Sequence, residues 1–177
     1  MKVAMLRVGV DTGSGGIHGP LFQDGSFEYI PIPDGFGIDS RTYANTTGAK
    51  GRNLVEYFPK SRQAKVGSQA IHFDPEFKTF TYGDPTPPKA GLRRLEKGDM
   101  LIFYCGLQGW DFKSEPALYL MGYFEILVAG KAETFSPGEI RSFFGENFHV
   151  RYQEIYEQQK TRLVLVKGSE HSRLLKK

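Results

Sequence analysis

Cysteine is nearly missing from this chain. Cys105 is alone among 177 residues, which excludes an intrachain disulfide and any cysteine-based zinc cluster. Its apolar neighbours mark it as a buried free thiol, as a reducing compartment allows. Long hydrophobic runs are missing too. Nothing approaches the roughly 20 apolar residues needed to cross a bilayer, and the opening MKVAMLRVGVDTG has neither a long hydrophobic region nor a small-residue cleavage site. The expectation is a cytoplasmic protein with no membrane partner. Strong charge of one sign is also lacking: a net charge of +3 and a pI near 8.9 lean towards anionic partners by less than a dedicated DNA binder would. No Walker loop, dinucleotide Gly-x-Gly-x-x-Gly or His-Glu-x-x-His helix occurs.

What the chain has in quantity is aromatic residues, at 14%, and glycine, at 21 residues. That mixture suits strands, tight turns and stacking surfaces. Its length suits one domain over 1–177. Residues 2–10 read as a first strand ending in the glycine-rich turn from Asp11 to Gly16, and 27–32 as a second, stopped by Pro31 and Pro33, so a hairpin is expected. From 34 to 68 the chain is polar, basic and without clear period, a flexible insertion ordered only near Leu54 to Phe58. Short strands are expected at 69–73 and 78–82. The strongest pattern follows, where Lys97-Gly98-Asp99 leads the apolar run from Met100 and a long apolar partner starts at Ala117. Ser136-Pro-Gly-Glu139 is a capping box with proline at the first helical position. Residues 150–160 fit helix or strand, 162–167 form a last strand, and 168–177 a frayed tail. The fold class is α+β: a strand-rich, curved mixed sheet or small barrel with a few short helices.

The stretch from Val8 to Ser14 invites two readings. An aspartic protease needs two Asp-Thr-Gly turns whose carboxylates share a proton, and only one is present. The first phosphate loop of sugar kinases is similar, but that fold requires two lobes that this chain cannot hold. The favoured reading is a glycine turn, with anion binding by the turn left open. Other polar residues at strand ends are Arg7, His18, Asp24, His72, Asp74 and Asp84. Alternation puts His72 and Asp74 on one side of a strand, where an imidazole and a carboxylate meet one ligand or simply bond to each other. His18 is expected to be exposed and idle.

The order Arg7-x-Gly9-x-Asp11-Thr12-x-x-Gly15-Gly16, followed by Pro20-Leu21, Asp24-Gly25-Ser26 and Ile30-Pro-Ile-Pro33, resembles the third family of nucleotide-modification-associated domains. Ile71-His-Phe-Asp-Pro75 is similar to that family's His-x-Asp-Pro motif, and Gly98 to Phe103 with Leu120 to Phe124 to its Gly-Asp strand pair. The departures are Gly19 in place of serine, Tyr104-Cys-Gly106 in place of a Phe-Gly turn, and a loosely matching last strand. The second half also resembles PUA-like domains of the EVE and ASCH kind, in which a Gly-Asp turn leads a barrel strand and aromatic residues line a base pocket. In that likeness Trp110 is the stacking ring, partly exposed, while Phe103 and Tyr119 belong to the core.

The resemblance implies work on, or recognition of, modified nucleotides in nucleic acid, so the expected partner is a nucleotide or nucleic acid. As an enzyme, the chain would use Asp11, His72 and Asp74 as catalytic residues and as candidate ligands for a divalent metal. Arg7, Thr12, Gly15, Gly16 and Trp110 would hold the nucleotide and its phosphate. The expectation is that Arg7, Asp11, His72 and Asp74 line one cleft. As a non-catalytic PUA-like module it would need no metal and would rely on base stacking.

Overall fold

The computed structural model describes residues Met1–Lys177. Its strands are β1 (Val3–Arg7), β2 (Gly19–Leu21), β3 (Ile32–Pro33), β4 (Ile71–His72), β5 (Thr81–Asp84), β6 (Met100–Gly109), β7 (Ala117–Lys131), β8 (Val164–Gly168) and β9 (Arg173–Leu174). The α-helices are α1 (Lys60–Val66), α2 (Pro137–Phe144), α3 (Phe148–Arg151) and α4 (Gln153–Gln159), with 3-10 turns at Leu54–Tyr57, Pro87–Arg94 and Ala132–Thr134. The fold is α+β. A mixed sheet of seven strands runs β1-β6-β7-β8-β5, with β2 added to β6 and β9 to β7, and β3 and β4 form a separate pair. The sheet does not close, so the barrel alternative drawn from the PUA-like resemblance falls. No helix is long and apolar enough to cross a membrane.

The chain divides into two compact units, the first made of residues 1–6, 73–103 and 122–174, the second of 7–72, 104–121 and 175–177. The first is built on regular pairing. Strand β8 lies antiparallel between β5 and β7, pairing Tyr82 with Val166 and Ala129 with Val166, and a bulge between Ile126 and Val128 shifts the register of β7. The rings of Phe77, Phe103 and Phe124 meet edge to face with centroids 4.7–5.5 Å apart, a geometry favoured by the ring quadrupole. The Lys97-Gly98-Asp99 turn forms as the sequence predicts. Gly98 takes φ +85°, and the Asp99 carboxylate accepts from the amides of Lys2 (2.6 Å) and Glu96 (2.8 Å).

The capping box at Ser136 also forms: the Glu139 amide donates to Ser136 Oγ and the Ser136 amide donates to Glu139 Oε2. It starts α2, whose Ile140 and Phe144 pack with Ala132, Leu163 and Leu165. Residues 150–160, open between helix and strand in the sequence, continue as α3 and α4, because Asn147 caps α3 by accepting the His149 amide.

The second unit has little regular structure. The expected strand over 27–32 shrinks to a bridge between Leu21 and Phe27 and to the two residues of β3, which pair with β4. The expected hairpin after β1 is absent. Strand β2 instead runs parallel to β6, with Gly19 opposite Leu107 and Leu21 opposite Gly109, and a parallel pair cannot be joined by a tight turn. Between 34 and 68, side chains fix the backbone. Asp34 accepts from the amides of Phe36 and Ile38, Asp39 from that of Arg41, and Asn45 from that of Thr42. Tyr43 is wholly buried and donates its hydroxyl to the Pro31 carbonyl at 2.7 Å. The tail carries β9, which pairs with β7 at Gly122 and Tyr123.

Candidate functional site

In the second unit a cavity of about 610 Å³ is lined by Thr12, His18, Tyr57, Lys60 and Trp110 among others, within the range of about 300–1,000 Å³ usual for small-molecule sites. Strand β2 sets one wall. The Trp110 amide donates to the Leu21 carbonyl, so the parallel pairing of β2 with β6 places the indole just past the end of β6. Its ring meets that of Tyr57 edge to face, 5.2 Å between centroids, and remains 42% exposed. One aromatic face is thus fixed in place and still reachable.

His18 is half-buried and lines this cavity rather than standing idle on the surface. Gly106 makes the room: a Cβ there would lie 2.9 Å from His18 Cδ2 and 3.4 Å from the Arg7 guanidinium. Lys60, at the start of α1, brings a cation to the wall. Glu56 also lines it, but its carboxylate is occupied by the Asn53 amide and by Arg52. Burial, aided by the charge of Glu28, pushes the Tyr57 phenol up to about 12, so it stays protonated near neutral pH.

The glycine-rich turn beside the cavity is self-contained. Asp11 Oδ1 accepts from the amides of Gly13 and Ser14, both at 2.7 Å, while Asp11 Oδ2 pairs with Arg7 Nε at 3.0 Å. Arg62 donates to the carbonyls of Gly15 and Gly16. Gly15 needs its glycine, since φ is +93° and a Cβ would lie 2.6 Å from Val10 Cγ1. Asp11 thus takes the amides of Gly13 and Ser14 through its carboxylate and that of Gly16 through its carbonyl, and Arg7 is engaged in holding Asp11. Cys105, buried on β6, has its thiol pushed up to about 12 by burial, with only partial relief from Arg7, so it is no nucleophile at neutral pH.

The first unit holds a different constellation. Asp74 leads into the chain towards β5, and its carboxylate accepts from the Gly83 amide (2.9 Å to Oδ2) and from Asn147 Nδ2 (3.3 Å to Oδ1). His149, on α3, faces it with Nε2 3.4 Å from Asp74 Oδ2. The other ring nitrogen, Nδ1, lies 2.6 Å from Gln159 Oε1. Both side chains are almost sealed from solvent, at 1% and 6% exposure. Burial pushes the Asp74 carboxyl up to about 6, against the pull of His149 and the Gly83 amide. For His149 burial acts downwards, but the Asp74 carboxylate and then Gln159 outweigh it and leave the imidazole raised. His72, two residues before Asp74, falls in the second unit, where it ends β4 opposite Ile32 of β3.

The residues singled out from the sequence are therefore placed as follows. Arg7 and Asp11 bond to each other in the second unit, where Thr12, Gly16 and Trp110 line the cavity. His72 ends β4 in the second unit, and Asp74 pairs with His149 in the first. His149 was not visible in the sequence, because a lone histidine in a segment of open secondary structure carries no spacing signal. The one available clue was Asn147, a helix-capping residue just before it.

The family model described as nucleotide modification associated domain 3 matches residues 2–176. No curated protein matches the chain, and no solved structure matches it.

Proposed function

The chain belongs to the nucleotide modification associated domain 3 family, and from that premise we propose that it recognises or processes a nucleotide or a modified base, taken into the cavity of the second unit. One observation carries this reading: a fixed, exposed indole stands in a cavity that also offers a lysine and a histidine. A base needs a flat apolar face and its phosphate needs cations, and this wall supplies both. Because the glycine turn spends its amides on Asp11, the phosphate falls to Lys60, His18 and the Thr12 hydroxyl. Arg7 and Asp11 act by holding the turn in shape. Extrusion of a base from single-stranded or mismatched nucleic acid would bring it to such a pocket at a small unstacking cost.

Trp110 is the sole tryptophan, so fluorescence excited selectively at tryptophan, past the tyrosine absorption, reports on this cavity. Titration with mononucleotides and short single strands carrying ordinary and modified bases should quench or shift it. Trp110→Ala should weaken binding by about 1–3 kcal/mol, measured by calorimetry. Equal binding by wild type and Trp110→Ala, or no binding of any of these probes, would sink the proposal.

A further inference from the structure

We propose that the base taken into this cavity carries an exocyclic amino group, as adenine and cytosine do, and that Gln63 and Gln108 select it. The inference rests on the nucleotide reading above and narrows its substrate class. Gln63 and Lys60, three residues apart, share the face of α1 that lines the cavity. Gln108 and Trp110, two apart where β6 ends, line it together, so a base stacked on the indole brings its edge towards Gln108. A free carboxamide offers donors and an acceptor and can turn either way. Gln63 cannot. Its Nε2 donates to the Phe58 carbonyl at 2.9 Å, and since a carbonyl only accepts, Oε1 must point away. Gln108 leans the same way, with Nε2 3.5 Å from the Ser114 carbonyl oxygen, the outer limit of such a bond. Neither Oε1 has a partner in the protein, and neither is sealed from solvent.

Glu56 is an acceptor by its charge. Its carboxylate takes the Asn53 amide at 3.0 Å and lies 3.6 Å from Arg52, and each oxygen keeps a further lone pair. The Tyr57 hydroxyl is sealed from the cavity. The indole N–H of Trp110 lies in the plane of its ring, away from the stacking face. Once Lys60, His18 and Thr12 are given to the phosphate, the side-chain atoms left for the edge of a base accept and do not donate. That edge has to donate. A keto group turned to Gln63 sets acceptor against acceptor and leaves the carboxamide oxygen unpaired, which weakens binding by about 10-fold or more. An exocyclic amino group has two N–H donors, and its lone pair is drawn into the ring, so it donates without accepting. A sugar hydroxyl has one donor and also accepts, a poorer match to this wall.

The test titrates the full-length protein with adenosine monophosphate and purine riboside monophosphate, which differ only in the exocyclic amino group, and with the cytidine and uridine monophosphates. Wild type should bind the amino-bearing member of each pair more tightly by about 10-fold or more. Gln63→Leu should bring the adenosine ratio close to one, and Gln108→Leu should reduce it. Each ratio is taken within one variant, so a general loss of affinity cancels. Should Gln63→Leu fail to fold, Gln108→Leu, at an exposed position on β6, still decides. Equal binding of both members by wild type, or a ratio that survives in the folded variants, would overturn the inference. So would a preference for ribose over deoxyribose that is lost in Gln63→Leu while the amino group makes no difference, which assigns the acceptor to the sugar. In each of these cases binding that depends on Trp110 persists and the nucleotide reading stands, whereas no binding of any probe ends both.

Discussion

The two units of this molecule reach order by different means. In the first, strands and helices satisfy the backbone, and aromatic rings such as Phe124, wholly buried, fill the space between them. In the second, few residues pair in strands, and the backbone is held instead by short side chains, mostly carboxylates, that accept amide hydrogens two to four residues ahead. Core packing is collective, because every ring touches several others. Side-chain bonds to loops are local, and each secures a few residues. The contrast also separates the two candidate sites: a wide cavity sits among the loops, and a sealed polar cluster sits beside regular elements.

The largest effect should come from attacking the packed core. Phe124→Ala removes a ring in edge-to-face contact with Phe77, Phe80 and Phe103 and should cost about 3–5 kcal/mol of global stability in denaturant unfolding. Loss of under 1 kcal/mol would mean that the first unit is not held as described. Next comes Asp34→Ala, which frees the amides of Phe36 and Ile38. It should cost about 2 kcal/mol, seen by hydrogen exchange as faster opening around residues 34–45 with the strands of the first unit unchanged. Uniformly faster exchange over the whole chain would erase the distinction between local and collective order.

The smallest effect is one of pH. Asp24 is held at about 2, below its ordinary 3.8, by the Ser26 hydroxyl and then the Ser26 amide. A lowered acid stabilises the fold above its unfolded value and loses that contribution as the pH falls through the folded one. The melting-temperature gap between wild type and Asp24→Ala should therefore be full at pH 5 and close between about pH 4 and about pH 2. A gap that widens with acid would show the bond to Ser26 to be unimportant.

The sequence made the first unit much easier to read than the second. The run from Met100, its partner from Ala117 and the capping box at Ser136 are periodic or local signals, and each appears where expected. The pairing of β2 with β6 is invisible to such signals, since a three-residue parallel strand has no period and no turn to announce it. Within 34–68 the 3-10 turn at Leu54–Tyr57 and helix α1 are short, and single Asp and Asn side chains bond to much of the remaining backbone, so no long apolar period is there to read. For the site, His72 and Asp74 were visible as a pair two residues apart. The partner of Asp74, His149, comes from a helix distant in sequence, and only folding makes that association.

Strands β6 and β7 each begin in one unit and end in the other, and each unit is assembled from three separate stretches of chain. Any continuous gene fragment that encodes all of the first unit also encodes nearly all of the second. Neither can have been acquired, exchanged or lost by simple recombination of coding segments, so a lineage inherits the loop cavity and the sealed cluster together. Mutations in either are then judged by selection on one indivisible product.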